Sequence, residues 1–246
     1  MFKIAIPSYR RAETLASKTL KMLEEFEVKP DRIDIFVASE AERRAYRAVL
    51  GPRYRLIVGV PGIHRQREFI HHFYEKGDRV LCIDDDVRAL KTLYPGVPFE
   101  VLIDEMFNVA ETHGCRLWGV YPTDNGLQLQ DRAVKGLKFI IGAFFGMSNF
   151  HASYPDPTTE DWTRTILSYL EDGAVIRFEG VGIQTSYQTE PGGLQLYRTA
   201  DLQDAEMRRL VKRFPDFLEL RHKPGRYTDV RVRRLETEKI PNPFGC

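Results

Sequence analysis

Apolar and polar positions follow two rhythms along the first third of the chain. Short apolar runs at 2–7, 33–38, 54–60 and 80–83 stop at Ser8, Ser39, Pro61 and Asp84, the pattern of buried β-strands. Between them, 12–28, 40–50 and 63–76 repeat apolar residues at helical spacing, the first through Leu15, Leu20, Met22, Leu23 and Phe26. Gly77 then stands where glycine favours a helix end. Strands alternating with helices predict right-handed βαβ units and an α/β fold on a mainly parallel sheet flanked by helices.

The rest of the chain is less regular. Helices are expected at 99–112, 160–170 and 201–214, and strands at 117–121 and 174–178. The apolar run 138–147, with Gly142 and Gly146, reads as a strand across the sheet. No repeat, low-complexity segment or linker divides the chain. We read 1–190 as the main domain and 191–246 as a basic C-terminal α/β extension.

Composition narrows the class. At 246 residues, 43% hydrophobic and 29% charged, the chain suits one large soluble domain that needs no disulfide or structural metal. No apolar run approaches the ~20 residues of a membrane span, and MFKIAIPSY turns polar too soon for a secretory signal. Cys82, Cys115 and Cys246 form an odd set without metal-ligand spacing, so a reducing cytoplasm is the expected home and Cys82 a core residue. The net charge of +1 gives no global attraction to nucleic acid. From Arg198 onward, however, twelve Lys and Arg face eight Asp and Glu, either a solvated face or a nucleic-acid surface.

Ligands of parallel sheets bind outside the carboxyl ends of the strands. Three polar clusters fall at such ends: Ser8-Tyr9-Arg10, Ser39-Glu40 and Asp84-Asp85-Asp86. Three adjacent carboxylates after a buried strand need charge compensation, which Mg²⁺ or Mn²⁺ supplies; the alternative is an acidic turn. Asp84 and Asp86 share a face if the strand conformation persists. The preceding helix offers His64, Arg65, Arg67, His71 and His72 as cationic neighbours for a diphosphate. Its histidines lack zinc spacing and read as solvent-facing or phosphate-adjacent. Glu160 and Asp161 open a helix after Pro155-Asp156-Pro157, either as macrodipole partners or as a general base.

Together, KIAIPSYRR, GIHRQREFIHHFYEKGDRVLCIDDDV and TEDWTRTILSYLEDGAVIRF resemble the family-2-like, inverting glycosyltransferases of the GT-A fold, over roughly three quarters of the chain. The resemblance implies a nucleoside-diphosphate-sugar donor, taken as a UDP-sugar, and Mn²⁺ or Mg²⁺. Pro7, Ser8, Tyr9, Arg10 and Glu40 would line the nucleotide, and Arg67 with Arg65 would face it or its diphosphate. Asp84 and Asp85 would contact the nucleotide-sugar, and Asp86 with Asp84 would hold the metal. Asp161 would be the catalytic base, with Glu160 its neighbour or substitute. Glu40 stands where many relatives have Asp.

PSYRR, PGGLQLYRT and the basic C-terminal quarter further resemble phage DNA-base glycosyltransferases of the TET/JBP-associated type, which add sugar to 5-hydroxymethylpyrimidines. Gln195 and Arg198 are similar to a Gln-x-x-Arg-Trp element whose Trp is missing here. Gly192, Gly193, Gln195, Arg198 and Trp162 are then acceptor-binding candidates on a DNA partner. Phe144, Phe145 and Trp162 are rings for stacking a flipped base, or for the core. The competing readings are a saccharide or protein hydroxyl as acceptor, and a metal-dependent nuclease or DNA-binding module. A lipid-linked acceptor lacks a membrane segment, and a sugar-nucleotide pyrophosphorylase lacks its Gly-rich loop after the first strand.

Overall fold

The computed structural model describes the chain except residues 124, 152, 154–158, 186–199, 222–228, 242 and 245–246. Its first half alternates as the periodicity predicts: β1 (Lys3–Pro7), a helical stretch α1 (12–25), β2 (Ile33–Val37), α2 (Glu40–Leu50), β3 (Arg55–Val58), α3 (Ile63–Phe73) and β4 (Arg79–Ile83). Then come β5 (Val87–Thr92), α4 (Phe99–Thr112), β6 (Leu117–Tyr121), β7 (Ala133–Gly136), β8 (Phe144–Ser148), α5 (Glu160–Asp172) and β9 (Val175–Thr185). The last elements are α6 (Ala200–Arg213), β10 (Leu218–Arg221), β11 (Asp229–Val232) and β12 (Thr237–Ile240).

Among the described residues, ten strands form one sheet in the order β12-β7-β9-β6-β8-β4-β1-β2-β3, with β5 paired to the far half of β9. β1 to β4 are mutually parallel, and β6, β9 and β12 share their direction; only β5, β7 and β8 run the other way. The sheet is thus mostly parallel, as expected. Its central strands are buried on both faces, because successive side chains feed two different cores. Ile4, Ile6, Leu81 and Ile83 pack beneath α1 and α4, whereas Ala5, Val80 and Cys82 pack beneath α3 and α5. Cys82 is a core residue, as its apolar setting implied, and burial pushes its thiol up to about 11. Cys246 lies outside the described residues.

Three departures from the periodicity shape the site. α1 contains a π-helical turn at Ala16–Leu20, which widens the helix and turns Thr19 toward the end of β4. α3 stops at Phe73 rather than 76, because the Asn149 amide donates to the carbonyls of His71, Tyr74 and Glu75. Gly77 is therefore not its cap, although it does adopt a positive φ of 87°. The run 138–147 is a strand only in its second half, while 137–143 runs over the sheet from the amino end of β9 at Val175 to the carboxyl end of β4 at Ile83. Gly146 admits the Trp118 indole, whose nearest atom would lie 2.1 Å from a Cβ built there.

The C-terminal elements do not stand apart. α6, β10 and β11 pack on α5 through Leu137, Ile166, Met207, Leu210, Phe214, Leu218 and Val230, and β12 returns to the main sheet against β7. Among the described residues, no helix is long and apolar enough to cross a membrane.

Candidate active site

The carboxyl end of β1 is tied to the acidic triplet by short hydrogen bonds. The buried Ser8 hydroxyl donates to Asp85 Oδ2 at 2.6 Å and lies 2.7 Å from the Tyr46 hydroxyl of α2. The Arg11 guanidinium reaches Asp85 at 3.3 Å and Asp86 at 3.8 Å, and its amide donates to Tyr46. Arg10 sits between them with a φ of 55°, a conformation costly for a residue with a Cβ, and its amide donates to Glu42. Its guanidinium lies over the Tyr9 ring at 5.1 Å.

The strand conformation does not persist through the triplet. β4 ends at Ile83, the Asp84 amide donates to Ala143, and Asp85-Asp86 form a turn into β5. Asp84 and Asp86 therefore do not share a strand face: Asp84 meets Arg67, while Asp86 meets Arg11. The turn is held from α1, where Thr19 Oγ1 donates to the Asp84 carbonyl at 2.7 Å and accepts from the Val87 amide at 3.1 Å.

Arg67 joins the triplet to the Glu160-Asp161 pair. Only 2% exposed, it donates through Nη2 to Asp84 Oδ1 at 2.7 Å and to the Gly142 carbonyl at 2.8 Å. Its Nε lies 3.3 Å from Glu160 Oε1. Phe145 packs against two guanidinium groups, Arg67 at 5.3 Å and the fully buried Arg164 at 3.6 Å. A Cβ on Gly142 would meet Arg67 Nη2 at 3.3 Å and Asp161 Cβ at 3.4 Å, so the crossing segment lies directly against both. Glu160 is buried, whereas Asp161 is half-buried at the helix start, its Oδ1 accepting from the Trp162 amide.

The charges are crowded. Burial first, then Asp84 and Asp86, push Asp85 up to about 7 against the Ser8 hydrogen bond and Arg11. Burial and the Asp84 charge push Asp86 up to about 6, opposed by Arg11 and Lys18. Asp84 is raised by burial against the pull of Arg67. Glu160 is raised by burial and then by Asp161, against Arg67 and Arg164. For Arg67, burial favours the neutral form, but the fields of Asp84 and Glu160 overcome it and hold the guanidinium above its ordinary value. Burial raises Tyr46 to about 12, so it remains a neutral hydrogen-bonding group.

The other expected residues are placed as follows. Pro7 is buried and Tyr9 half-buried, while Glu40 is exposed and pairs with Arg43 at 2.8 Å; its neighbour Glu42 is the residue that meets the β1 loop. Arg65 is exposed on α3. His71 is neither solvent-facing nor phosphate-adjacent: it is buried against Asn149, and burial and then Arg164 push it down to about 3. Phe144 and Phe145 are fully buried core rings, whereas Trp162 is half-buried and stacks on Phe139 at 4.1 Å. Gly192, Gly193, Gln195 and Arg198 lie outside the described residues, as does the turn at 155–157. Tyr46, Arg11, Thr19 and Arg164 were not singled out from sequence. Arg11 alone had a signal there, as a second basic residue after the strand-end serine.

Among the described residues, no three His, Cys, Asp or Glu side chains gather about one point as a metal cage. The acidic triplet nevertheless suits a hard divalent cation. Such ions often take one or two protein carboxylates, completing their shell with water and phosphate oxygens. The crowding of Asp84 and Asp86 is what such a charge would relieve.

No protein-family model matches the chain, and no curated protein matches its sequence. Solved structures do match. Glucosyl-3-phosphoglycerate synthase from Mycobacterium tuberculosis, in complex with Mn²⁺, UDP and glucosyl-3-phosphoglycerate, has a TM-score of 0.53 at 12% identity, covering 99% of this chain and 90% of that one. The same enzyme with Mn²⁺, UDP-glucose and phosphoglyceric acid gives 0.53 and 12%, over 99% and 90%. A further mycobacterial protein gives 0.52 at 10% identity, over 98% and 86%. At such identities the likeness is one of fold. The chain shares the α/β GT-A fold of these structures, the architecture that its motifs led us to expect.

Proposed function

We propose that this protein is a metal-dependent glycosyltransferase that moves a sugar from a UDP-sugar to a hydroxyl acceptor with inversion. The acceptor we assign is the 5-hydroxymethyl group of a pyrimidine in DNA. The observation that carries the enzyme class is the bridge made by Arg67: one buried guanidinium joins the strand-end triplet at Asp84 to the helix-start pair at Glu160. Donor and acceptor chemistry must adjoin in this way for group transfer. The solved neighbours of this fold hold UDP with Mn²⁺ or Mg²⁺.

On this reading Pro7 to Arg10, with Glu40 and Arg65, receive the nucleotide, and Ser8 and Arg11 fix the triplet beneath it. Asp86 and Asp84 would hold Mn²⁺ or Mg²⁺, whose charge stabilises the departing diphosphate. Asp161, half-buried and beside Gly142, takes the proton of the acceptor hydroxyl as its oxygen bonds to the sugar carbon and the bond to the diphosphate breaks. Glu160, buried on Arg67, fixes the start of the helix that carries Asp161.

The DNA assignment is supported by the basic surface of the C-terminal elements, within the 191–246 extension. Arg208, Arg209, Lys212, Arg213, Arg221, Arg231, Arg233 and Arg234 are all exposed on or beside α6, β10 and β11. Such a surface gives phosphate contacts that weaken steeply with salt, and a base in a duplex has to flip out to reach Asp161. Gly192, Gly193, Gln195, Arg198 and Trp162 complete the acceptor side of the proposal.

The test is a panel of nucleotide-sugars with Mn²⁺, offered with 5-hydroxymethylcytosine DNA, unmodified DNA and saccharides. Nucleoside-diphosphate release and a nucleoside mass gain on the hydroxymethylated DNA alone are expected. No release with any donor overturns the enzyme class, and a gain on saccharide only overturns the DNA acceptor.

A further inference from the structure

Followed back from Gly142, the segment between β7 and β8 leads to a second group of charges. Arg132 enters β7, Arg177 lies on β9, and Lys138 follows β7. Glu179 is 4% exposed; it accepts from Arg132 Nε at 2.6 Å and from Arg177 Nη2 at 2.5 Å. One arginine would balance the charge of this carboxylate, yet a second arginine shares it and Lys138 lies within reach of their charges. Arg132 and Arg177 both pair with Glu179, and the charges of all three act on half-buried Lys138, so among the described residues three cations neighbour one carboxylate. Lys138 shows the strain: burial first, then Arg177, hold its ammonium below the ordinary lysine value despite Glu179. The Arg177 guanidinium lies over the Tyr121 ring at 5.0 Å, and its buried Nε meets no acceptor among the described residues. Arg132 is 32% exposed and Lys138 half-exposed, so solvent reaches the group.

Its place relative to Asp161 is set by the chain. Phe139, next to Lys138, stacks on Trp162, next to Asp161, and Gly142 touches Asp161 itself. From Lys138 to Gly142 the backbone spans at most about 14 Å. That separation is bridged by a substrate carrying its hydroxyl and its anion on one small molecule or on neighbouring nucleotides.

We propose that Arg132, Lys138 and Arg177 form a phosphate-binding subsite on the acceptor side of the candidate active site. The acceptor role rests on the glycosyltransferase reading, whereas the anion site itself does not. A phosphate ester matches the uncompensated charge, and guanidinium forks with an ammonium are the donors that phosphate oxygens favour. The ester comes either from the backbone beside a modified base or from a small phosphorylated acceptor.

Calorimetric titration with inorganic phosphate tests the site, with and without UDP and Mn²⁺ filling the donor side. Wild-type protein is expected to bind phosphate in both conditions. Lys138→Gln and Arg132→Gln each weaken binding about tenfold or more, the loss of one charge-assisted contact, whereas Lys138→Arg stays within about threefold. Lys138→Gln should melt with the wild type, since Lys138 is half-exposed. Equal phosphate affinity in both glutamine variants and the wild type overturns the subsite. If UDP does not bind, the titration without it still reads the site, so the two readings fail separately. A 5-hydroxymethylcytosine oligonucleotide and phosphoglyceric acid then identify the source. The one whose affinity falls about tenfold in Lys138→Gln carries the phosphate, and a fall for neither overturns the acceptor-side assignment.

Discussion

Replacing Arg67 with methionine keeps the aliphatic stem and removes the guanidinium that serves Asp84, Glu160 and the Gly142 carbonyl. Arg67 is 2% exposed and Glu160 7%, so the carboxylate left behind on the α5 side is buried without its cation. Breaking such a pair from one side costs about 3–5 kcal/mol. Asp84 adds less, because a third of its side chain is open to solvent screening. In a chain of this size each kcal/mol moves the melting temperature by roughly 2–4 °C, so a fall on the order of 10 °C is expected. The pH dependence gives the sharper signature. Burial and Asp161 already raise the Glu160 carboxyl, and without Arg67 it rises further above its unfolded value. A carboxyl raised in this way is least destabilising in acid, and its cost grows with pH by up to about 1.4 kcal/mol per unit. Melts of the wild type and variant at pH 6 and pH 8 should therefore diverge more at pH 8. Arg67→Lys should recover part of the loss, since it restores the charge but not the fork. A deficit below about 1 kcal/mol at pH 8, or one that is flat with pH, would refute the buried-clamp reasoning.

Asp161→Asn should abolish sugar transfer while calorimetry finds UDP-sugar affinity unchanged; normal turnover removes Asp161 from the role of base. Thr19→Val leaves the Asp84 carbonyl and the Val87 amide without their partner, for a loss of about 1–3 kcal/mol in urea unfolding that Thr19→Ser restores. An unchanged midpoint for the valine variant argues against the π-turn as the support of the triplet. His71, buried neutral at about 3, gives stability that is complete above the unfolded value near 6.5 and lost as pH falls toward 3. At pH 5 this amounts to about 2 kcal/mol, and His71→Gln should remove that part of the acid sensitivity. A variant that retains the full acid loss places its source elsewhere.

Periodicity located β1 to β4 and the helices between them because a strand buried on both faces is a continuous apolar run. The triplet could be placed at a strand's carboxyl end for the same reason. It failed where polar residues are buried. Arg67 was expected to face the diphosphate and Arg164 gave no signal, yet both are buried, with their guanidinium groups against Phe145. β5 was missed because VRALKT is half-polar and acquires its strand character from pairing with β9. The π-turn has no periodic signature, and Tyr46 looks like any apolar helix position until its hydroxyl is found between Ser8 and Arg11. Long-range hydrogen bonds of this kind depend on which strand ends meet, and local pattern does not encode that.

The sharing of charge at the carboxyl edge also separates two neighbouring carboxylates that sequence could not rank. Glu160 and Asp161 both stand at the start of α5, where the helix dipole favours either as an anion. Glu160 faces inward, is raised by burial and by Asp161, and is held by Arg67. A proton residing there weakens the negative field on Asp161 without removing the side chain that anchors the helix. Asp161 faces Gly142, where the missing Cβ keeps room beside the carboxylate, and its Oδ1 is fixed by the Trp162 amide. A base must meet a hydroxyl arriving from solvent, which the half-buried Asp161 is placed to do and the buried Glu160 is not. Glu160→Gln should therefore retain measurable turnover with a lower melting temperature, while Asp161→Asn retains the fold and loses turnover. The opposite pair of outcomes would transfer the base to Glu160 and leave Arg67 clamping the catalytic residue itself.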